Sequence, residues 1–221
     1  MKPTPKRRVI VDGTEYFIGE RPIIFRPEMV AAINDGRKTQ TRRIVKPQPT
    51  STSDGQPYWD VGGLRLSEWA TKPILCPFGV PGDRLWVRER HNFVCVERGG
   101  KDKSFVVFQD GAQKYNDGAY YPPLDSYAPG ALESLVMRSP LFMPRWASRL
   151  TLEITYVRFL LLHEITDEDA IAEGVAQPGE QTWYDGKARE MFSRGWDSIH
   201  GPGAWDRNEW VWAITFRKVE A

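Results

Sequence analysis

Two stretches of alternation set the fold class of this 221-residue chain. Leu150, Leu152 and Ile154 alternate with Thr151, Glu153 and Thr155, and the pattern runs on toward Phe159. Trp210, Trp212, Ile214 and Phe216 alternate with Val211, Ala213, Thr215 and Arg217. A period of two puts alternate side chains on opposite faces of a strand. Shorter strands are expected at Val9–Val11 and Tyr16–Ile18, joined as a hairpin by Asp12-Gly13, and at Ile23–Phe25 and Leu85–Val87. The turn signature Pro81-Gly82-Asp83 launches the last of these.

Helices are few and well punctuated. Pro27 and Glu28 suit a first turn, Met29, Val30 and Ile33 recur at helical spacing, and Asn34-Asp35-Gly36 reads as the stop. Thr166 is an expected N-cap before Asp167, Glu168 and Asp169, in a helix ending at Gly174. Short strands around two short helices predict an α+β, mainly β fold: a small β-barrel with short helices and long loop insertions, rather than a parallel α/β sheet. A single domain spanning 1–221 is expected, with insertions at about 47–72, 97–140 and 176–208, the second with some hairpin character and the last carrying a helix around 187–193.

The formal net charge of +1 argues against a surface that coats polyanions generally, so any nucleic-acid contact is expected as a local patch. Cys76 and Cys95 lack CxxC spacing, and with His91, His163 and His200 they form no zinc framework. No metal or other cofactor is expected. No apolar run approaches a membrane span, and the basic N-terminus lacks an apolar h-region. A cytoplasmic protein with free thiols and no membrane partner is the expectation.

The segment Gly36-Arg37-Lys38-Thr39-Gln40-Thr41-Arg42-Arg43 carries the most chemistry. It places four cations and two hydroxyls just beyond the first helix, where donors can converge on an anion or a polar base. Cations there also have a structural use, offsetting the helix dipole and its orphan carbonyls. Lys38 and Thr41 share one side if the segment curls and face oppositely if it is fully extended. Glu173 stands at the last turn of the second helix, where a carboxylate meets the negative end of the dipole, a locally unfavourable placement of the kind found at functional sites. Arg145, Trp146 and Arg149 combine cations with an indole, which suits phosphate contact and base stacking; core packing is the other use of Trp146. Arg88 and Glu89 are expected either as an ion pair or as lining of a cleft. The histidines carry no motif.

The order of these elements resembles the ASCH family, within the PUA-like barrel superfamily. The matching residues are Ile23–Phe25 with its helix and GRKTQTRR, then PGDRLWVRE at 81–89, the strand 150–157 with ITDEDAIAEG at 165–174, and the closing strand 210–219. CPFG at 76–79 and MPRWASR at 143–149 look like ASCH proteins encoded by phages and prophages. The resemblance implies a cleft that binds RNA, modified DNA or a modified nucleoside, with Arg37, Thr39, Arg42, Arg43, Arg145, Trp146 and Arg149 as candidate nucleic-acid contacts. One ASCH branch removes the acetyl group of N4-acetylcytidine with a lysine, a threonine and a glutamate. Carried over by motif, these are Lys38 as base, Thr41 as nucleophile and Glu173 as proton carrier. Metal-free amide hydrolysis needs such a set, and a lysine serves as base once burial or neighbouring cations lower its pKa.

The alternatives are a non-catalytic reader of RNA or modified DNA using the same cleft, a ribonuclease, and a phage accessory protein that meets unknown protein partners through its insertions. No His pair or acidic metal cluster argues for the ribonuclease.

Overall fold

The computed structural model describes residues 7–11, 14–51, 57–61, 64–65, 76–98, 101–110, 112–115, 120–121, 137–175 and 187–219. Strands β1 (Arg7–Val11) and β2 (Thr14–Ile18) pair antiparallel as the expected hairpin, whose Asp12-Gly13 turn lies outside the described residues. Strand β3 (Glu20–Ile24) leads into helix α1 (Pro27–Asn34), and β4 (Gln40–Ile44) follows. Two small ladders come next, β5 (Thr50–Ser51) with β6 (Pro57–Tyr58) and β7 (Asp60–Val61) with β8 (Leu64–Arg65). Strand β9 (Arg84–Arg88) precedes an antiparallel sheet of β10 (His91–Arg98), β11 (Lys101–Phe108), β12 (Gln113–Tyr115) and β13 (Tyr120–Tyr121). The chain closes with β14 (Thr151–Leu161), α2 (Asp167–Ala172), α3 (Lys187–His200) and β15 (Trp210–Val219).

The main sheet has the order β3-β9-β14-β15-β4, antiparallel except for the parallel pair β3/β9. The fold is α+β and mainly sheet. The expected barrel is not closed by backbone pairing: β3 and β4 are the two edges of an open sheet. A side chain spans them instead, the guanidinium of Arg43 on β4 donating to the carbonyl of Ile24 on β3 at 2.8 Å. In the expected insertion at 97–140, the described residues are mostly strands of the second sheet, joined as antiparallel neighbours in keeping with its expected hairpin character. The helix of the third insertion runs past Ser193 to His200, while residues 176–186 lie outside the described residues. Among the described residues no helix is long and apolar enough to cross a membrane.

The two alternating stretches are adjacent strands, β14 and β15, and each alternates for its own reason. A bulge between Ile154 and Tyr156 shifts the register of β14, so Leu152, Ile154 and Val157 are buried while Tyr156 faces solvent. Strand β15 is buried on both faces. Trp212, Ile214 and Phe216 join the core that includes Phe25, Val30 and Leu85, whereas the small Val211 and Ala213 pack under the helices. Ala188, Phe192 and Trp196 of α3 lie at i, i+4 and i+8 and bury against that second face. Each such large apolar side chain contributes ~1.5–3 kcal/mol, enough to hold α3 firmly over the end of β4.

Candidate active site

Helices α1 and α2 each end at a glycine, and the two ends meet. Helix α1 ends in a Schellman turn: Gly36 takes φ 75°, its N–H reaches the Ile33 carbonyl at 3.1 Å, and Arg37 N–H reaches Ala32 at 2.9 Å. Helix α2 starts at Thr166, whose hydroxyl accepts from Asp169 N–H, and ends at Gly174 with φ 83°. A Cβ on Gly174 would stand 2.9 Å from the Lys38 Cβ, so this close approach admits only glycine. The Thr39 N–H then donates to the Ala172 carbonyl at 2.8 Å, tying the chain leaving α1 to the end of α2.

That junction aims Lys38 at Glu173. The Lys38 ammonium, 3% exposed as a residue, donates to Glu173 Oε2 at 2.7 Å and to the Glu173 carbonyl at 2.8 Å. Arg42 Nη1 reaches the other carboxylate oxygen at 3.2 Å, and Arg42 Nη2 reaches Asp169 Oδ2 at 2.7 Å. Asp169 also accepts from Arg158 at 2.6 Å and from Gln40 at 3.2 Å. The carboxylate that offends the α2 dipole is therefore covered by two cations, one of which also caps an orphan carbonyl.

Burial pushes the Lys38 ammonium below the ordinary lysine pKa; Glu173 works against this, and the charges of Arg43 and Arg42 add to it. Burial raises Asp169, but its hydrogen bond to Arg158 and the charge of Arg42 outweigh that and hold its carboxyl below the usual range.

Lys38, Thr41 and Glu173 line one cavity of about 270 Å³. Lys38 belongs to the irregular backbone between α1 and β4, and Thr41 is the second residue of β4. The segment is thus neither curled throughout nor fully extended, and both residues border the same space. Arg42 and Arg43 also line it, while the opposite wall is Phe192, Gly195, Trp196, Ile199 and His200 of α3. The Trp196 and His200 rings lie 4.2 Å apart. Burial, then the charge of Arg43, holds His200 below the ordinary histidine pKa, which favours the neutral ring. Ile24 and Ile199, each 38% exposed, are apolar lining residues that also meet solvent. Cationic donors beside aromatic and aliphatic walls suit a flat polar molecule.

The remaining sequence candidates lie elsewhere. Arg37 pairs with Asp35 at 2.9 Å, and Thr39 is exposed outside the cavity. Arg145 binds Glu20 at 3.0 Å, and Arg149 makes a bidentate contact with Glu89 at 3.0 and 2.6 Å plus a 2.7 Å contact with Asp110. Trp146 packs on the cluster of Val106, Phe108 and Met143. Glu89 thus pairs with Arg149, and Arg88 lies over the Trp86 ring. Sequence reasoning missed Asp169 and Gln40 as partners of Arg42, and the α3 wall. The wall had a signal in the Ala188/Phe192/Trp196 stripe; the partners had none. Among the described residues no group of three or more His, Cys, Asp or Glu side chains is placed to hold a metal ion.

No family model matches this sequence, and no curated protein and no solved structure is significantly similar to it.

Proposed function

We propose that this chain is a nucleotide-binding protein of the PUA-like, ASCH type, whose cavity takes an N4-acylated cytosine and hydrolyses its amide. A phage or prophage setting belongs to the same reading. The observation that carries it is the buried Lys38–Glu173 contact at 2.7 Å in a cavity that Thr41 also lines. A lysine with a lowered pKa beside a hydroxyl and a carboxylate is the equipment of metal-free acyl transfer.

In this mechanism neutral Lys38 takes the Thr41 proton as the Thr41 oxygen attacks the acyl carbon. The positive charge of Arg43 at the cavity wall favours the oxyanion that develops there. As the C–N bond breaks, Lys38 returns its proton through Glu173 to the departing cytosine amine. Water then attacks the acyl ester as Lys38 accepts its proton; as the ester C–O bond breaks, Lys38 returns that proton to the Thr41 oxygen, so the carboxylic acid leaves and both side chains are restored. One water is consumed, and cytidine and acetate are the products of the acetylated nucleoside.

The cavity volume, near the ~300 Å³ lower bound of small-molecule sites, favours one base or nucleoside over a larger group. Purified protein with EDTA present is expected to release cytidine from N4-acetylcytidine, followed by chromatography. Binding without turnover would leave the non-catalytic reader.

A further inference from the structure

We propose that the base entering the Lys38 cavity belongs to a single-stranded nucleic acid, whose neighbouring nucleotide lies in a second groove carrying Arg26 and Arg90. This rests on the reading above only in taking the Lys38 cavity as the base pocket. The second groove has a volume of about 400 Å³ and is lined by Phe25, Pro27, Gln109 and Pro140, among others. Ile24 and Arg26 line both spaces, so the two adjoin at the end of β3.

Several arginines of this chain are committed to ion pairs. Arg21, Arg42, Arg145, Arg149 and Arg158 each hold a carboxylate. Arg26 and Arg90 are exposed, and among the described residues neither has an ion pair. One carboxylate, Glu28, also lines the groove, leaving cations in excess. Arg26 is the N-cap of the eight-residue α1 and makes no side-chain cap, so the positive end of that helix opens here as well. Two residues beyond the lining residue Pro140, on the same 3-10 turn, Phe142 is 77% exposed. Arginines without an ion pair and an exposed ring on the same turn as a lining residue are the elements of a single-strand track: the cations follow phosphates, and a ring offers a base a stacking face. In the first cavity Lys38 and Arg42 hold Glu173 and Arg43 donates to the Ile24 carbonyl, which leaves Arg26 at its border as the exposed cation for the next phosphate.

The test uses the whole chain and four labelled or free probes. These are N4-acetylcytidine, a single-stranded RNA of about seven nucleotides, within the ~4–16 range of single-strand sites, with one central N4-acetylcytidine, its DNA counterpart, and the RNA annealed to its complement. The single strands are expected to bind at least ~10-fold more tightly than the nucleoside, and the duplex more weakly than either strand. Arg90→Ala should narrow the gap between strand and nucleoside and reduce the salt slope by about 0.7, the value for one single-strand phosphate contact. Phe142→Ala should narrow the gap without changing the slope. Arg194→Ala, an exposed arginine on α3 lining neither space, serves as the control. The RNA and DNA arms decide which polymer is preferred. Equal affinity for strand and nucleoside, a preference for the duplex, or an unchanged slope in Arg90→Ala would overturn the groove while leaving nucleoside turnover standing. Strand binding that depends on Arg90 without turnover would overturn the amidohydrolase and keep the groove.

Discussion

Glu173→Gln is expected to lower the unfolding free energy by ~3–5 kcal/mol, the cost of removing one partner from a buried ion pair. The change is nearly isosteric, so it opens no cavity. It strips the neutralising charge from Lys38 at 2.7 Å and from Arg42 at 3.2 Å together. Lys38→Met should cost distinctly less, because Glu173 keeps Arg42 and an ammonium that burial disfavours is gone. Equilibrium urea titrations of the three proteins decide this, read at unchanged m-value. A Glu173→Gln protein within ~0.5 kcal/mol of the parent, the range of ordinary surface changes, would mean that the three side chains are not paired in solution. Because Glu173 supports the charged form of Lys38, the same substitution should lower the Lys38 pKa further, as read from its side-chain carbon shifts.

Thr41→Ala is expected to reduce kcat for N4-acetylcytidine by at least ~10²-fold, the lower end for a group acting in the transition state. Thr41 lines the cavity from β4, and its neighbours there pair through their backbones with β15, so the strand stays in place without the hydroxyl. KM should change little if Thr41 acts mainly on the transition state. Thr41→Ser, which keeps the hydroxyl, should retain a large part of the activity. A Thr41→Ala protein with full kcat would remove the nucleophile from the mechanism; equal losses in Ala and Ser would make the residue a matter of packing.

What could be read in advance was local. Pro27, Gly36, Thr166 and Gly174 bound their helices because each residue type serves one end of a helix for a steric or hydrogen-bonding reason. Glu173 was legible as a carboxylate at the wrong end of a dipole. What answers it was not, since Lys38 lies 135 residues away and nothing local says that two helix ends meet at Gly174. The same limit applies to Arg145 and Arg149. A sequence displays cations beside a tryptophan, but their carboxylates come from 125, 60 and 39 residues away. The bulge in β14 and the open edge between β3 and β4 are register and closure effects, which alternation alone does not encode. Helix α3 runs beyond the expected 187–193 although Gly195 lowers local helix propensity, because burial of Phe192 and Trp196 carries it through to His200.

The pH dependence of kcat/KM for N4-acetylcytidine, measured with EDTA for the parent and Lys38→Met, tests the central claim most directly. A base must lose its proton to act, so the rate should rise with pH through the pKa of Lys38. Burial places that rise below the ordinary lysine value of ~10.4. Lys38→Met should lose that rising limb together with most of the rate. No release of cytidine at any pH, or an undiminished rate with the same limb in Lys38→Met, would contradict the account.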